Sequence, residues 1–226
     1  MRLIIFGPPA SGKGTQAPFF TEKFNIPHIS TGSMFREETK KDTKLGLKIK
    51  QLLDKGHLID DETTNLMVKD RLSMPDAKNG FLLDGYPRTL NQAKYLDEML
   101  NEAGLKLDYA IDLFCDDEIA IKRITGRRMC PKCGKIYNIY FSKPSVDGIC
   151  DVDGTLLIRR ADDTVEIAKK RLEIYYQSTE PLINYYKNKG NLILADGGLL
   201  DAAHTFDQII NKIGDKKWLP LNQKEK

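Results

Sequence analysis

Gly7, Gly12 and Gly14 bracket Pro8, Pro9, Ala10, Ser11 and Lys13 in a run that closes on Thr15, directly after the apolar Leu3-Ile4-Ile5-Phe6. A glycine-bounded loop between a buried strand and a helix aims backbone N–H groups and the helix's positive end at one point, where a polyphosphate is held. Lys13 adds a point charge there. The usual pattern has Ser or Thr immediately after the lysine to bind magnesium, whereas this chain has Gly14 and places Thr15 one position later. The chemistry indicated is the handling of a nucleoside triphosphate. The bland alternative is a tight strand-to-helix turn.

A second set of residues suits phosphate. Asp84 closes the apolar run Phe81-Leu82-Leu83, where sheet proteins of this class bind ligands and magnesium needs an anchor, through waters here. Gln92 follows Arg88 by four positions, which on one helical face gives a group for a phosphate and a group for a base edge. Arg123 and Arg127 are also four apart, and Arg159, Arg160 and Arg171 surround the acidic pair Asp162 and Asp163. Guanidinium forks match phosphoryl oxygens, although scattered arginines most often form a solvated face. No kinase-type His-Arg-Asp segment offers a general base. A hydroxyl acceptor needs one, but a phosphate monoester with a second pKa near ~6 is already mostly dianionic at neutral pH. The residues therefore favour phosphate as acceptor.

Cys130-Pro131-Lys132-Cys133 and, after sixteen intervening residues, Cys150-Asp151-Val152-Asp153 are two knuckle-like halves with aspartate in place of the last cysteine. Three thiolates and a carboxylate make a closed zinc site, structural rather than catalytic. Asp151 is the weaker candidate for the fourth ligand, and free thiols beside a capped turn are the bland alternative. Cys115, at the end of an apolar strand, reads as buried and inert. His28, His57 and His204 show no metal or catalytic spacing.

The elements that must position these groups alternate. Strand-like runs at Leu3–Phe6, Ile26–Ser30, Phe81–Leu83, Tyr109–Phe114 and Asn191–Ala195 are separated by helical periodicity, which predicts an α/β fold with a parallel sheet and helices on both faces. Residues 31–59 read as a small helical insertion. Residues 128–159, rich in Pro, Gly and Cys with short β-branched runs, read as small hairpins. Asp163, with Glu166 three residues on, predicts the cap of a long helix that Pro181 breaks or kinks. The 35 basic and 32 acidic residues nearly balance, so the net charge of +3 does not imply nucleic-acid binding. No apolar stretch reaches the ~18–20 residues that span a bilayer, and the phosphate loop comes too early for a cleaved signal, so a cytoplasmic, non-membrane protein is expected.

Taken together, Gly7–Gln16, Ser30-Thr31-Gly32 with Arg36, Phe81–Arg88 followed by Thr89–Gln92, Arg123–Arg127, the cysteine knuckles, and Arg160–Asp163 with Arg171 resemble the adenylate kinases of the long-lid, zinc-containing bacterial type. The resemblance covers residues 1 to about 213. It implies a five-stranded parallel P-loop core (1–29, 60–125 and 164–214), a helical AMP-binding insertion (30–59) and a small β zinc-containing lid (126–163), with 215–226 as a tail. It implies interconversion of ATP and AMP with two ADP, with magnesium, by a monomer. Carried over by position, Ala10, Ser11, Gly12, Lys13, Gly14 and Thr15 cradle the ATP phosphates. Arg123 and the backbone of Leu199 meet its adenine, Arg127 its phosphates, and Ile136 and Tyr137 are lid contacts. Thr31, Arg36, the backbone of His57, Leu58 and Ile59, Gly85, Arg88 and Gln92 bind AMP. Arg160 and Arg171 close on the phosphates, and Lys13, Arg88, Arg127, Arg160 and Arg171 form the catalytic set. Asp84 anchors magnesium through waters, and Cys130, Cys133, Cys150 and Asp153 hold structural zinc. The runners-up are a UMP or CMP kinase on the same scaffold and a zinc module binding nucleic acid through Lys132, Lys135 and Lys143.

Three departures bear on these expectations. Ala10 stands where glycine is common, so that position either has negative φ or carries strain. Ser33 replaces a usual aspartate, leaving more of the magnesium role to Asp84. His57 and Asp60 alter the usual segment before Asp61.

Overall fold

A computed structural model describes residues 1–198 and 201–214. The Leu199 contact and the 215–226 tail with Trp218 lie outside the described residues.

Five parallel strands form the sheet: β1 (Arg2–Phe6), β2 (His28–Ser30), β3 (Phe81–Asp84), β4 (Tyr109–Phe114) and, last in the chain, Leu192–Asp196. Two short strands, β5 (Arg127–Met129) and β6 (Ile136–Asn138), pair antiparallel apart from it, which makes Leu192–Asp196 β7. The order in the sheet is β2-β3-β1-β4-β7. Strand alternation divides the apolar residues between two faces. Ile4, Phe6 and Leu83 pack on one face with Leu96 and Leu100 of α5 (Leu90–Glu102) and with Leu182 and Tyr186 of α8 (Pro181–Asn188). Leu3, Ile5, Leu82, Ile111 and Leu113 pack on the other with Phe20 and Phe24 of α1 (Lys13–Phe24) and Ile209 of α9 (Ala202–Ile213). Both faces are covered, as the unbroken apolar runs of the strands require.

Between β2 and β3 lie α2 (Thr31–Glu38), α3 (Lys44–Asp54) and α4 (Asp61–Leu72). Phe35, Ile49 and Ile59 give this segment a small apolar centre of its own. After α6 (Asp117–Thr125) the chain enters the β5–β6 hairpin and isolated bridges Met129–Ile158 and Ile149–Leu156, the small hairpins expected there. It returns in α7 (Val165–Ile174).

Three local expectations are corrected. Asp163 does not cap α7: the cap is Thr164, whose hydroxyl accepts from Ile167 N at 3.2 Å, because the Asp163 carboxylate is committed to Arg127. Arg88 is not on a helix face with Gln92. Thr89 caps α5 by accepting from Gln92 N at 3.1 Å, so Arg88 lies in the loop before it. Ile26–Ser30 supplies a strand only over His28–Ser30, with Pro27 contributing its carbonyl to Leu82 N. Pro181 takes the first turn of α8, after a wide turn at Tyr175–Thr179.

Candidate active site

β1, β3 and β4 are adjacent and parallel, so their carboxyl ends share one edge of the sheet, and the phosphate loop leaves β1 at that edge. Lys13 is half-buried, and its ammonium donates to Gly7 O at 3.0 Å, Pro8 O at 2.7 Å and Ser11 Oγ at 3.3 Å. These three contacts use all three ammonium hydrogens on the loop itself. Desolvation lowers Lys13 to about 8, with Asp84 and Asp112 acting the other way and Arg88 adding to the fall. Lys13 and Gly14 open α1, so their N–H groups have no carbonyl within the helix and are left for a ligand at the helix's positive end. Ala10 has φ 60°, in the left-handed region. The alternative left by the sequence is thereby settled on the strained side.

Gly197, after β7, fixes the loop from behind. A methyl group built there would lie 2.0 Å from the Ser11 carbonyl oxygen, so only glycine allows this approach. Arg123 ties the same parts together, donating to Gly197 O at 2.6 Å, Ala10 O at 3.3 Å and Gly198 O at 3.2 Å. Phe141 lies 5.8 Å from its guanidinium carbon.

Arg36, Arg88, Arg127, Arg160 and Arg171 lie close enough to interact with one another, and Arg88 lies close to Lys13. Arg36 is lowered by desolvation and then by Arg127 and Arg171, with Asp162 opposing. Arg160 falls to about 10, by desolvation first and then by Arg127 and Arg36, and its buried Nε has no partner. Arg88 is exposed, and the protein mass around it, Arg171 and Arg36 also lower it against Asp84. Arg36, Arg88 and Arg160 remain cationic at neutral pH, since an arginine starts so high. Carboxylates hold the set together. Asp163, wholly buried, takes two hydrogen bonds from Arg127, one of them at 2.9 Å, and Asp162 pairs with Arg171. Burial pushes Asp162 up and Arg171 outweighs it, so that carboxyl ends below its usual range.

On the opposite side, Thr31 is buried and donates to Gly85 O at 2.9 Å, and Arg88 Nε donates to the same oxygen at 2.9 Å. Gly85 has φ 78°, and a side chain there would press on both Arg88 and Thr31, each 3.0 Å away. Gln92 is buried beside them, and His57–Ile59 form the link from α3 to α4. Asp84 is paired with His28 Nε2 at 3.2 Å. His28 is therefore a site neighbour that spacing alone did not reveal, since 56 residues separate the two. Asp112 on β4 was also missed. It is buried, one oxygen lacks a partner, and burial raises it to about 6 against the pull of Lys13. Ser33 holds Arg36 at 3.4 Å.

The cysteine knuckles meet as expected. One ligand atom from each of Cys130, Cys133, Cys150 and Asp153 lies within 4.8 Å of the others. Cys130 Sγ is 3.4 Å from Asp153 Oδ1 and Cys133 Sγ 3.5 Å from Cys150 Sγ, close to the edges of a tetrahedron with metal–sulfur bonds of about 2.3 Å. The two halves fold alike, Gly134 N donating to Cys130 O at 3.0 Å and Gly154 N to Cys150 O at 2.9 Å. Asp151 is excluded from the cluster because its carboxylate accepts from Ser145 N at 2.8 Å. Tyr137 turns its side chain into this knuckle, where its hydroxyl accepts from Asp151 N at 2.8 Å, while Ile136 is exposed. Cys115 is buried and its thiol raised by that burial, in keeping with an inert role.

The adenylate kinase family model matches residues 5–191, most of the chain. The chain belongs to the adenylate kinase family. The adenylate kinase of Caldicellulosiruptor bescii is 48% identical over 214 residues, covering 95% of this chain and 99% of that one. The adenylate kinase of Clostridium tetani is also 48% identical over 214 residues, with the same coverage. That of Ruminiclostridium cellulolyticum is 51% identical over 197 residues, 87% of this chain and 92% of that one. The fold is the family's P-loop kinase fold, with a Cys/Asp cluster able to hold zinc. Among the described residues no helix is long and apolar enough to cross a membrane.

Proposed function

We propose that the chain transfers the terminal phosphoryl group of ATP to the phosphate of AMP, reversibly, giving two ADP. The observation that carries this reading is the clustering of five arginines, with Arg88 close to Lys13, more positive charge than a single triphosphate needs. The loop Ala10–Thr15 receives the ATP phosphates, with Lys13 leaving its carbonyl partners for the transferring group. Arg123 presents its face to the adenine while its edge stays on the loop carbonyls, and the backbones of Ile136 and Tyr137 complete that side. Thr31, Arg36, the 57–59 backbone, Gly85, Arg88 and Gln92 receive AMP. Arg127, Arg160 and Arg171 are held by Asp162, Asp163 and their own neighbours until phosphate oxygens replace those partners.

Residues 126–163 act as the lid, 30–59 as the AMP-side insertion, and the remainder of 1–214 as the core. Lid closure excludes water, which competes as acceptor. The acceptor phosphate is a dianion and needs no base, so catalysis consists of alignment and charge stabilisation. One carboxylate, Asp84, at the carboxyl end of β3 suits magnesium, which binds through one or two carboxylates plus substrate phosphates. When bound, magnesium neutralises charge on the transferring phosphoryl group. Zinc, held by Cys130, Cys133, Cys150 and Asp153, replaces a core that this lobe barely has, since its buried apolar centre is two ligand cysteines and Tyr137 with Leu157 against them. The enzyme acts as a cytoplasmic monomer on ATP, AMP and ADP, without nucleic acid or membrane.

The test is an acceptor panel of AMP, CMP, UMP and GMP with ATP as donor, followed by nucleotide chromatography. AMP is expected to be consumed fastest, with two ADP formed per AMP. Preference for a pyrimidine monophosphate would overturn the assignment.

A further inference from the structure

The Gln92 carboxamide is held at both ends. Its oxygen accepts from Arg88 N at 2.7 Å and its nitrogen donates to Asp61 Oδ1 at 2.8 Å. The oxygen can only accept and the nitrogen only donate, while a carboxylate only accepts and a backbone N–H only donates. Turning the amide by half a revolution would set two donors against each other at Arg88 and two acceptors at Asp61. Asp61 is itself fixed: the Thr89 hydroxyl donates to its other oxygen at 3.0 Å and accepts from Gln92 N at 3.1 Å. With its one proton committed to Asp61, Thr89 orients the whole chain of bonds. Asp61 also opens α4, whose cap, Asp60, accepts from Thr63 N at 2.9 Å, so the anchor is rigid. Only 2% of Gln92 is exposed, so the amide is packed in place rather than a reaching side chain.

Purines differ in what they show to such an amide. A 6-aminopurine presents an N–H donor beside the N1 acceptor, and a 6-oxopurine presents an acceptor beside an N1–H donor. An amide free to turn serves either pattern with its remaining hydrogen and lone pair; one that is locked serves one of them. We infer that Asp61 is a specificity-determining positioning residue, which fixes the Gln92 amide so that the acceptor site takes a 6-aminopurine monophosphate and rejects GMP and IMP. This rests on the assignment of Gln92 to the acceptor base. A mismatched base leaves buried polar groups unpaired, which is how sites built for a hydrogen bond discriminate strongly.

The experiment compares kcat and KM for AMP, GMP and IMP in the wild type and in Asp61→Asn, whose amide donates or accepts by turning and so lets Gln92 turn with it. The ratio of kcat/KM for AMP over GMP is expected to fall about tenfold or more, carried by acceptor KM, with IMP following GMP. Equal losses for all three, with the ratio unchanged, would overturn the inference by showing a structural role only. Gln92→Ala, run in parallel, separates the two layers: unchanged KM for AMP defeats the base-reading assignment, whereas a raised KM beside an unchanged Asp61→Asn ratio defeats the lock alone. Should Asp61→Asn not fold, Thr89→Val, which frees Asp61, is expected to lower the same ratio, and Thr89→Ser, which keeps both hydroxyl bonds, to retain it. A Thr89→Val ratio equal to wild type would count against the lock.

Discussion

Gly197→Ala tests the positioning argument at a residue that carries no chemistry. The added methyl carbon would lie 2.0 Å from Ser11 O and 3.2 Å from Leu113 Cβ, while real contacts of this kind stay beyond 3.0 Å. Something must move by about 1 Å, and a displacement of ~1 Å is enough to cost ~100-fold in rate when alignment supplies the catalysis. The Gly197 side is pinned by its own N–H on Phe114 O at 2.8 Å and by Arg123 on its carbonyl at 2.6 Å. The phosphate loop is therefore the part that shifts. Overpacking of this kind costs about 1–3 kcal/mol, which at ~2–4 °C per kcal/mol for a chain of this size lowers the melting temperature by roughly 2–12 °C. The assay is steady-state ADP formation with each nucleotide varied in turn, at a temperature where circular dichroism shows the variant folded. A fall in kcat of ~100-fold, a raised KM for ATP and little change in KM for AMP are expected. A folded variant with turnover within about threefold of wild type would refute the claim that loop placement governs the rate.

Ala10→Gly should raise the melting temperature by up to ~6 °C, because relief of a left-handed alanine, worth ~1–2 kcal/mol, equals or exceeds the ~0.4–1 kcal/mol entropy cost of glycine; a lower melting temperature would contradict it. Lys13 is lowered to about 8 in the free enzyme, so its charge is full below that pH and lost above it. Accordingly kcat/KM for ATP should decline above pH ~8, while kcat, reporting the phosphate-bound state, should hold to higher pH. Coincident declines would count against Lys13 as the titrating group. The same shift makes folding stability rise between pH ~8 and the ordinary lysine range, because the folded state gives up its proton first. Removing metal with a chelator and then restoring magnesium should lower the melting temperature by at least ~5 °C and leave turnover at 25 °C comparatively intact. Selective loss of turnover with unchanged melting would oppose a structural zinc.

Motifs that act within a few residues were legible in the sequence. The phosphate loop, the two knuckles and the strand ending in Asp84 each carry their geometry in local spacing, and the alternation of strands and helices set the parallel sheet. What was hidden depends on partners distant in the chain. Asp163 looks like a helix cap beside Thr164, and only the approach of Arg127, 36 residues away, decides otherwise. Ala10 has its positive φ where its carbonyl is held by Arg123, 113 residues away. Asp61 meets Gln92 because α4 and α5 lie side by side, and His28 meets Asp84 because β2 and β3 are paired, in register Ser30 with Asp84. Asp112 could have been suspected as a charged residue inside an apolar strand, a signal outweighed by the run around it.

The central claim is direct in-line transfer from one nucleotide phosphate to the other, with the protein supplying alignment and positive charge but no covalent partner. Stereochemical analysis with ATP made chiral at the γ-phosphorus by oxygen isotopes measures this directly. A single displacement inverts the configuration at the transferred phosphorus, and inversion in the ADP formed from AMP is the result expected. Retention would require two displacements through a phosphorylated side chain and would contradict the account.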